Sequence, residues 1–191
     1  MKYFIIFGPP GAGKGTQAAP MAERYNLKHI STGELLREEI AAGTDLGMQA
    51  KALIDAGSLV PDVIVEGMLA KSFAKGKGYD GFLLDGFPRN LQQAQDLDAM
   101  LEARDESVTA VISLMIPDET IRQRISHRAA LEGRADDASE ATVTNRIKTY
   151  HAQTEPLIEY YKYEKKYHEV KSVGTIAQVG GRIKRIMDKL V

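Results

Sequence analysis

The sequence predicts an α/β fold: a doubly wound, five-stranded parallel sheet with helices on both faces. Two observations carry this. Short apolar runs of strand length alternate with longer stretches of helical period, the pattern of βαβ units. The first of those runs also ends in a glycine-rich segment that opens a helix, the kind of junction at which open parallel sheets bind ligands. Composition agrees, since 191 residues with 43% hydrophobic and 27% charged content describe one ordinary globular domain with length enough for a proper core. With 25 Lys+Arg against 26 Asp+Glu the net charge is −1, which excludes a blanket basic coat. No nucleic-acid partner and no anionic membrane surface is therefore expected.

The elements follow in order. Residues 3–7 read as the first strand, and a helix is expected over 14–25. Pro20 lies inside that helix, where a proline costs about 3 kcal/mol or forces a kink. A weaker strand covers 27–30. Over 63–73, Val63, Ile64, Gly67, Met68 and Ala70 share one helical face. Residues 76–81 form a glycine-rich turn into a third strand at 82–84, and Asn90 then caps a helix over 91–101. A fourth strand spans 108–116, and Pro117-Asp118 opens a helix marked by Ile121 and Ile125. One long helical period runs from 142 to about 165, a fifth strand covers 169–173, and a last helix covers 176–190. Without an internal repeat or a Pro/Ser-rich linker, residues 1–191 are expected to form a single domain.

There is no cysteine, which excludes disulfides, thiolate zinc sites and cysteine nucleophiles. The four histidines, His29, His127, His151 and His168, lack metal-ligand spacing and read as surface or packing residues. No apolar run approaches the roughly 18–20 residues of a membrane span. A cytoplasmic protein is the expectation.

The strongest chemical signal is Gly8-Pro9-Pro10-Gly11-Ala12-Gly13-Lys14-Gly15-Thr16. Glycines let the backbone curl so that successive N–H groups face inward, and the following helix adds its N-terminal dipole. Together these cradle a polyphosphate. Lys14 offers a point charge to the outer phosphates and the Thr16 hydroxyl a ligand for Mg²⁺. The strict P-loop pattern places Ser or Thr directly after the lysine, whereas here Gly15 intervenes.

Further candidates follow the other strands. Ser31-Thr32-Gly33-Glu34-Leu35-Leu36-Arg37 comes after the second, and Asp85-Gly86-Phe87-Pro88-Arg89 after the third, with Gln93 one helical turn on. Arg124 and Arg128, four residues apart, share a helix face, and Arg134 and Arg146 complete the set. An isolated arginine is more often a surface residue than a site. These, however, fall at strand ends or on flanking segments, where an open sheet has its crevice.

In this order the nine-residue loop, STGELLR, DGFPRN with Gln93, and the spaced arginines resemble the adenylate kinase family over essentially the whole chain. The resemblance implies a P-loop sheet with a helical AMP-binding arm over about 31–60 and a short lid over about 127–133. It implies reversible, Mg²⁺-dependent transfer of the terminal phosphoryl group of ATP to AMP, giving two ADP. Gly11, Ala12, Gly13, Lys14, Gly15 and Thr16 would bind ATP phosphates, with Arg124 near the ATP base and Gly174 and Ile176 bordering its adenine. Thr32 and Gln93 would read the AMP adenine in a pocket lined by Ser58, Leu59 and Val60. Arg37 and Arg89 would hold the AMP phosphate, and Gly86, Phe87 and Pro88 would belong to the same AMP-binding set. Arg128, Arg134 and Arg146 would close over the transferring phosphates, and Asp85 would anchor Mg²⁺ through water. Phe87-Pro88 would be cis, no zinc would be bound, and a monomer is expected.

Glu34 stands where the family usually has Asp, and the span from Arg134 to Arg146 is one residue longer than usual. The runner-up is UMP/CMP kinase, whose members usually carry Ala at the Thr32 position. From a different class, a non-catalytic nucleotide-binding switch would lack the second pocket.

Overall fold

The computed structural model describes residues 1–132 and 139–191; Arg134 and residue 133 of the expected lid lie outside them. β1 (Lys2–Phe7) explains the layering. Tyr3, Ile5 and Phe7 belong to the apolar cluster on one face and Phe4 and Ile6 to the cluster on the other, and all five are 4% exposed or less. A strand that is apolar on both sides needs cover on both sides, and helices provide it. α1 (Lys14–Arg24) and α9 (Ile176–Met187) cover the Phe4 and Ile6 face through Ala18, Met21, Val179 and Ile183. α4 (Asp62–Ala74), α5 (Leu91–Glu102) and α8 (Leu157–Tyr163) cover the opposite face through Leu69, Phe73, Leu97, Leu101 and Tyr161.

The strands are all parallel in the order β2-β3-β1-β4-β5, with β2 at Leu27–Ser31, β3 at Gly81–Asp85, β4 at Ala110–Met115 and β5 at Tyr167–Lys171. The chain leaves β1 for one side of the sheet and later crosses to the other, so the order reverses beside β1. Register aligns the strand ends: Ile6 pairs with both Asp85 and Ile112, and Ser31 pairs with Asp85. The loops after β1, β2, β3 and β5 therefore emerge along one carboxyl edge, the ligand edge of such sheets.

Between β2 and α4 lie α2 (Thr32–Ala41) and α3 (Asp45–Asp55), capped by the Ser31 and Thr44 side chains. Both helices fall within residues 31–60, where the helical arm is expected. α6 (Asp118–Glu132) and α7 (Glu140–Thr149) pack on each other through Ile121, Ile125, Val143 and Ile147, a small core of their own. The described part of the 127–133 segment is the end of α6.

Three expectations need correction. The long helical period from 142 to 165 is three pieces: α7, a π turn (Tyr150–Thr154) and α8. Pro156 has no N–H to continue the ladder, and the Glu155 N–H reaches back five residues to the Tyr150 carbonyl at 2.8 Å. The last strand begins two residues earlier than the apolar run, because Tyr167 and His168 pair with Val111 and Ile112 while only Val170 is buried. Pro20 does not interrupt α1; it lies on the exposed side of that helix. The expectation for the Phe87-Pro88 peptide holds, and it is cis.

Candidate active site

The loop after β1 is held open by backbone that only glycine adopts without strain. Gly8, Gly11 and Gly13 have φ of 140°, 77° and 89°. A Cβ on Gly8 would lie 2.6 Å from the Leu114 carbonyl oxygen of the neighbouring strand. Gly13 is the N-cap of α1 and carries no side chain to satisfy the first N–H groups, unlike the Ser, Thr and Asn caps of α2, α3, α5, α7 and α9. An uncapped N-terminus after a curled loop presents donors to an anion.

Lys14 folds back over this loop, donating from Nζ to the Gly8 carbonyl at 2.8 Å and to the Pro9 carbonyl at 2.9 Å. Burial lowers its pKa to about 8. Asp85 opposes the shift, and Arg89, Arg146 and Arg128 add to it, so four cations share one field. Asp85, at the end of β3, is 8% exposed. Burial pushes its carboxyl up, yet His29, Lys14 and Arg89 outweigh that and hold it below the usual carboxylate range. His29 Nε2 lies 3.8 Å from Asp85 Oδ2, so this histidine, read as a surface or packing residue, packs behind the site.

Two cavities open on the carboxyl edge. One is lined by residues 11–16 of the loop, Asp85, Arg124, Arg128, Gly174 and Ile176. The other is lined by Thr32, Ser58, Leu59, Val60, Phe87, Pro88 and Gln93. Lys14, Arg37, Gly86, Arg89 and Arg146 line both, so four cations form the wall where the cavities meet. The structure thus brings together every expected site residue among those it describes.

Contacts on the loop side go beyond the expectation. Arg124 donates from Nη2 to the Ser172 carbonyl at 2.8 Å and from Nη1 to the Ala12 carbonyl at 3.4 Å, tying the loop to the end of β5. Ser172, 2% exposed, reinforces the tie by donating to the Ala12 carbonyl at 2.7 Å. Buried Gln17 holds the Ile176 carbonyl at 3.0 Å. Neither Ser172 nor Gln17 carries a sequence signal, beyond being polar residues that turn up on buried faces.

In the second cavity Thr32, 2% exposed, donates from Oγ1 to the Gly86 carbonyl at 2.9 Å. Gly86 has φ of 83°, and a Cβ there would come within 2.8 Å of Thr32 Oγ1 and 2.9 Å of Arg89 Nη2. Arg89 is anchored through both side chain and backbone. Its Nε donates to the Gly86 carbonyl at 2.7 Å, its backbone N–H donates to Gln93 Oε1 at 2.7 Å, and its carbonyl accepts from Thr154 Oγ1 at 2.6 Å. Thr154 was hidden in the sequence, since only the π turn carries it to the site. Thr154→Val keeps the shape but leaves the Arg89 carbonyl without this donor. A fall of about tenfold in turnover, with the melting temperature lowered by a few degrees, is the expected steady-state and calorimetric result.

Hard oxygen donors suit a magnesium ion brought in by nucleotide phosphates, and the Asp85 carboxylate and the Thr16 hydroxyl both line the loop-side cavity. Among the described residues no three of His, Asp and Glu cluster as a metal cage.

A doubly wound parallel sheet, with a phosphate-cradling loop at its switch point and a second cavity across a wall of cations, defines a nucleotide phosphotransferase of the P-loop class. The family model described as Adenylate kinase matches residues 6–166. A relative named adenylate kinase from Flavobacterium psychrophilum is 45% identical over 186 residues, covering 97% of this chain and 98% of its own. Another of that name from Bacteroides thetaiotaomicron is 43% identical over all of both chains. One from Leptospira biflexa is 42% identical over 183 residues, covering 96% of this chain and 98% of its own. The chain belongs to the adenylate kinase family. The UMP/CMP kinase and switch alternatives are not favoured by these likenesses.

Proposed function

We propose that this protein transfers the terminal phosphoryl group of ATP to AMP, reversibly and with Mg²⁺, to give two ADP, and so balances the adenine nucleotides. The observation that carries this is the wall of Lys14, Arg37, Arg89 and Arg146 shared by two cavities. ATP takes the loop side, with its phosphates on residues 11–16 and its adenine beside Gly174 and Ile176. AMP takes the other side, with its phosphate at Arg37 and Arg89 and its base at Thr32, Gln93 and residues 58–60. Both reacting phosphates then face the same cations.

An AMP phosphate oxygen attacks the terminal phosphorus of ATP in line. The new P–O bond forms as the bond to the bridging oxygen breaks, and ADP leaves with that electron pair. The phosphate's second pKa near 6 leaves it ionised at neutral pH, so no general base is needed. Protein catalysis is then positioning and charge stabilisation, for which the planar, permanently charged arginine fork suits phosphate oxygens. Lys14, Arg89, Arg124, Arg128, Arg134 and Arg146 supply it. Thr16 and, by way of water, Asp85 would hold the magnesium ion carried by the ATP phosphates, and the ion would supply charge neutralisation at the phosphoryl oxygens. The arm at 31–60 and the lid at 127–133 close over both nucleotides and exclude water, which would otherwise compete as acceptor.

The protein acts in the cytoplasm, and as a monomer, because one chain supplies both cavities. No helix among the described residues is long and apolar enough to cross a membrane.

Offering Mg·ATP with AMP, CMP, UMP or GMP and following diphosphate formation tests the reading. Turnover with AMP well above the rest is expected. No turnover with any acceptor refutes a kinase, and a preference for CMP or UMP moves the assignment to the runner-up. Thr32→Ala removes a hydroxyl buried beside Gly86. A drop of about tenfold in the preference for AMP over the pyrimidine monophosphates is expected, and an unchanged ratio would mean adenine is read elsewhere.

A further inference from the structure

Gln93 is 2% exposed, and both ends of its side-chain amide are taken. Nε2 donates to Asp62 Oδ1 at 2.7 Å, and Oε1 accepts from the backbone N–H of Arg89 at 2.7 Å. A carboxylate only accepts and a backbone N–H only donates, so the two partners dictate the same orientation of the amide independently. Asp62 is itself fixed. Asn90 Nδ2 donates to the same Oδ1 at 3.0 Å, while Asn90 Oδ1 accepts from the Gln93 backbone N–H at 2.8 Å. The first residue of α4 and the first turn of α5 are thereby latched together. Asp62 lines neither cavity, whereas Gln93 lines the one assigned to the monophosphate.

We propose that Asp62 is a positioning residue that sets base selectivity, by fixing which end of the Gln93 amide donates and which accepts. The inference rests on the reading that Gln93 meets the base. With one N–H and one lone pair committed, the amide keeps one N–H and one lone pair for a ligand, in a set order. Adenine presents an exocyclic amino donor next to a ring-nitrogen acceptor. Guanine presents the reverse, a keto acceptor next to a ring N–H donor. An amide that cannot turn end over end matches the first pair and sets donor against donor for the second, a mismatch that leaves polar groups unpaired in a dry site. Without Asp62, one of the two partners that oppose the turn is lost.

The test measures kcat and KM with AMP and with GMP as acceptors for the parent, Asp62→Leu, Asp62→Asn and Gln93→Leu. Asp62→Leu is expected to raise KM for AMP about tenfold and to narrow the AMP-to-GMP ratio of kcat/KM by a similar factor. KM for ATP should stay put. Asp62→Asn should keep most of the selectivity, because its carbonyl oxygen still accepts from both Asn90 and Gln93. If Asp62→Leu does not fold, Asp62→Ser, too short to reach Gln93 and well tolerated at a helix start, answers the same question.

Gln93→Leu separates the two levels of the argument. If it leaves the AMP-to-GMP ratio unchanged, Gln93 does not read the base, and the inference falls with that reading. If it collapses the ratio while folded Asp62→Leu or Asp62→Ser keeps both ratio and KM, the role of Asp62 alone is overturned. A loss shared equally by ATP and AMP and not rescued by Asp62→Asn marks mere structural support and overturns it too.

Discussion

Arg89→Ala is expected to fold like the parent and to lose about three orders of magnitude in kcat, the scale for removing a charged group that faces developing transition-state charge. Two of the bonds that fix this residue use its backbone: the N–H to Gln93 Oε1 and the carbonyl from Thr154. Both survive the substitution, so the loop after β3 keeps its hold while the guanidinium goes. What is lost is a cation on the wall shared by the two cavities, together with its Nε bond to Gly86. Arg89→Lys should restore little, since an ammonium cannot reproduce the planar fork. Arg104→Ala is the control. That residue lies in the turn after α5, with its guanidinium 5.6 Å from the Phe73 ring centre, and touches neither cavity. Its kcat should match the parent's. Rapid-quench turnover at saturating nucleotides, beside thermal unfolding, decides the matter, and an Arg89→Ala rate within tenfold of the parent's would refute the shared-wall arrangement.

The contrast between Arg89 and its supports shows what a sequence carries. The strand, the glycine loop and Lys14 are legible because backbone geometry demands glycine at fixed points, and apolar periodicity marks the strands. Arg89 is legible for a similar reason, standing at a strand end among turn residues. Thr154 is not legible. A π turn inserts one residue into a helical period, which from sequence alone looks like ordinary helix up to Pro156. His29 reads as a surface or packing residue, and its place behind Asp85 comes from strand pairing, of His29 with Leu83 and of Ser31 with Asp85. Asp62 opens α4, 31 residues before Gln93, and only the fold brings the two side chains within 2.7 Å. The shift of β5 has a plainer cause. An edge strand with one buried residue has little apolar pattern to mark its ends.

Lys14→Met should lower kcat/KM for ATP by about three orders of magnitude, and the pH profile of the parent should show why. Burial is the main reason its pKa falls to about 8, and the neighbouring Arg89, Arg146 and Arg128 push the same way against Asp85. The lowered value means that the free protein holds this proton less tightly than an exposed lysine would. Below about 8 the group is charged and ready to meet phosphate; above it, the neutral amine predominates. Since kcat/KM reports the free enzyme, it should fall about tenfold per pH unit on the alkaline side of that value. A bound triphosphate reverses the balance, because its negative charge favours the ammonium and raises the pKa again. The alkaline limb of kcat, which reports the complex, should therefore lie higher than that of kcat/KM. Nucleotide binding near pH 9 should also take up a proton, visible by calorimetry as a heat that depends on the ionisation enthalpy of the buffer. Flat kcat/KM up to pH 10 with no proton uptake would show that Lys14 keeps an ordinary pKa, and the wall of cations would then not be felt as one field.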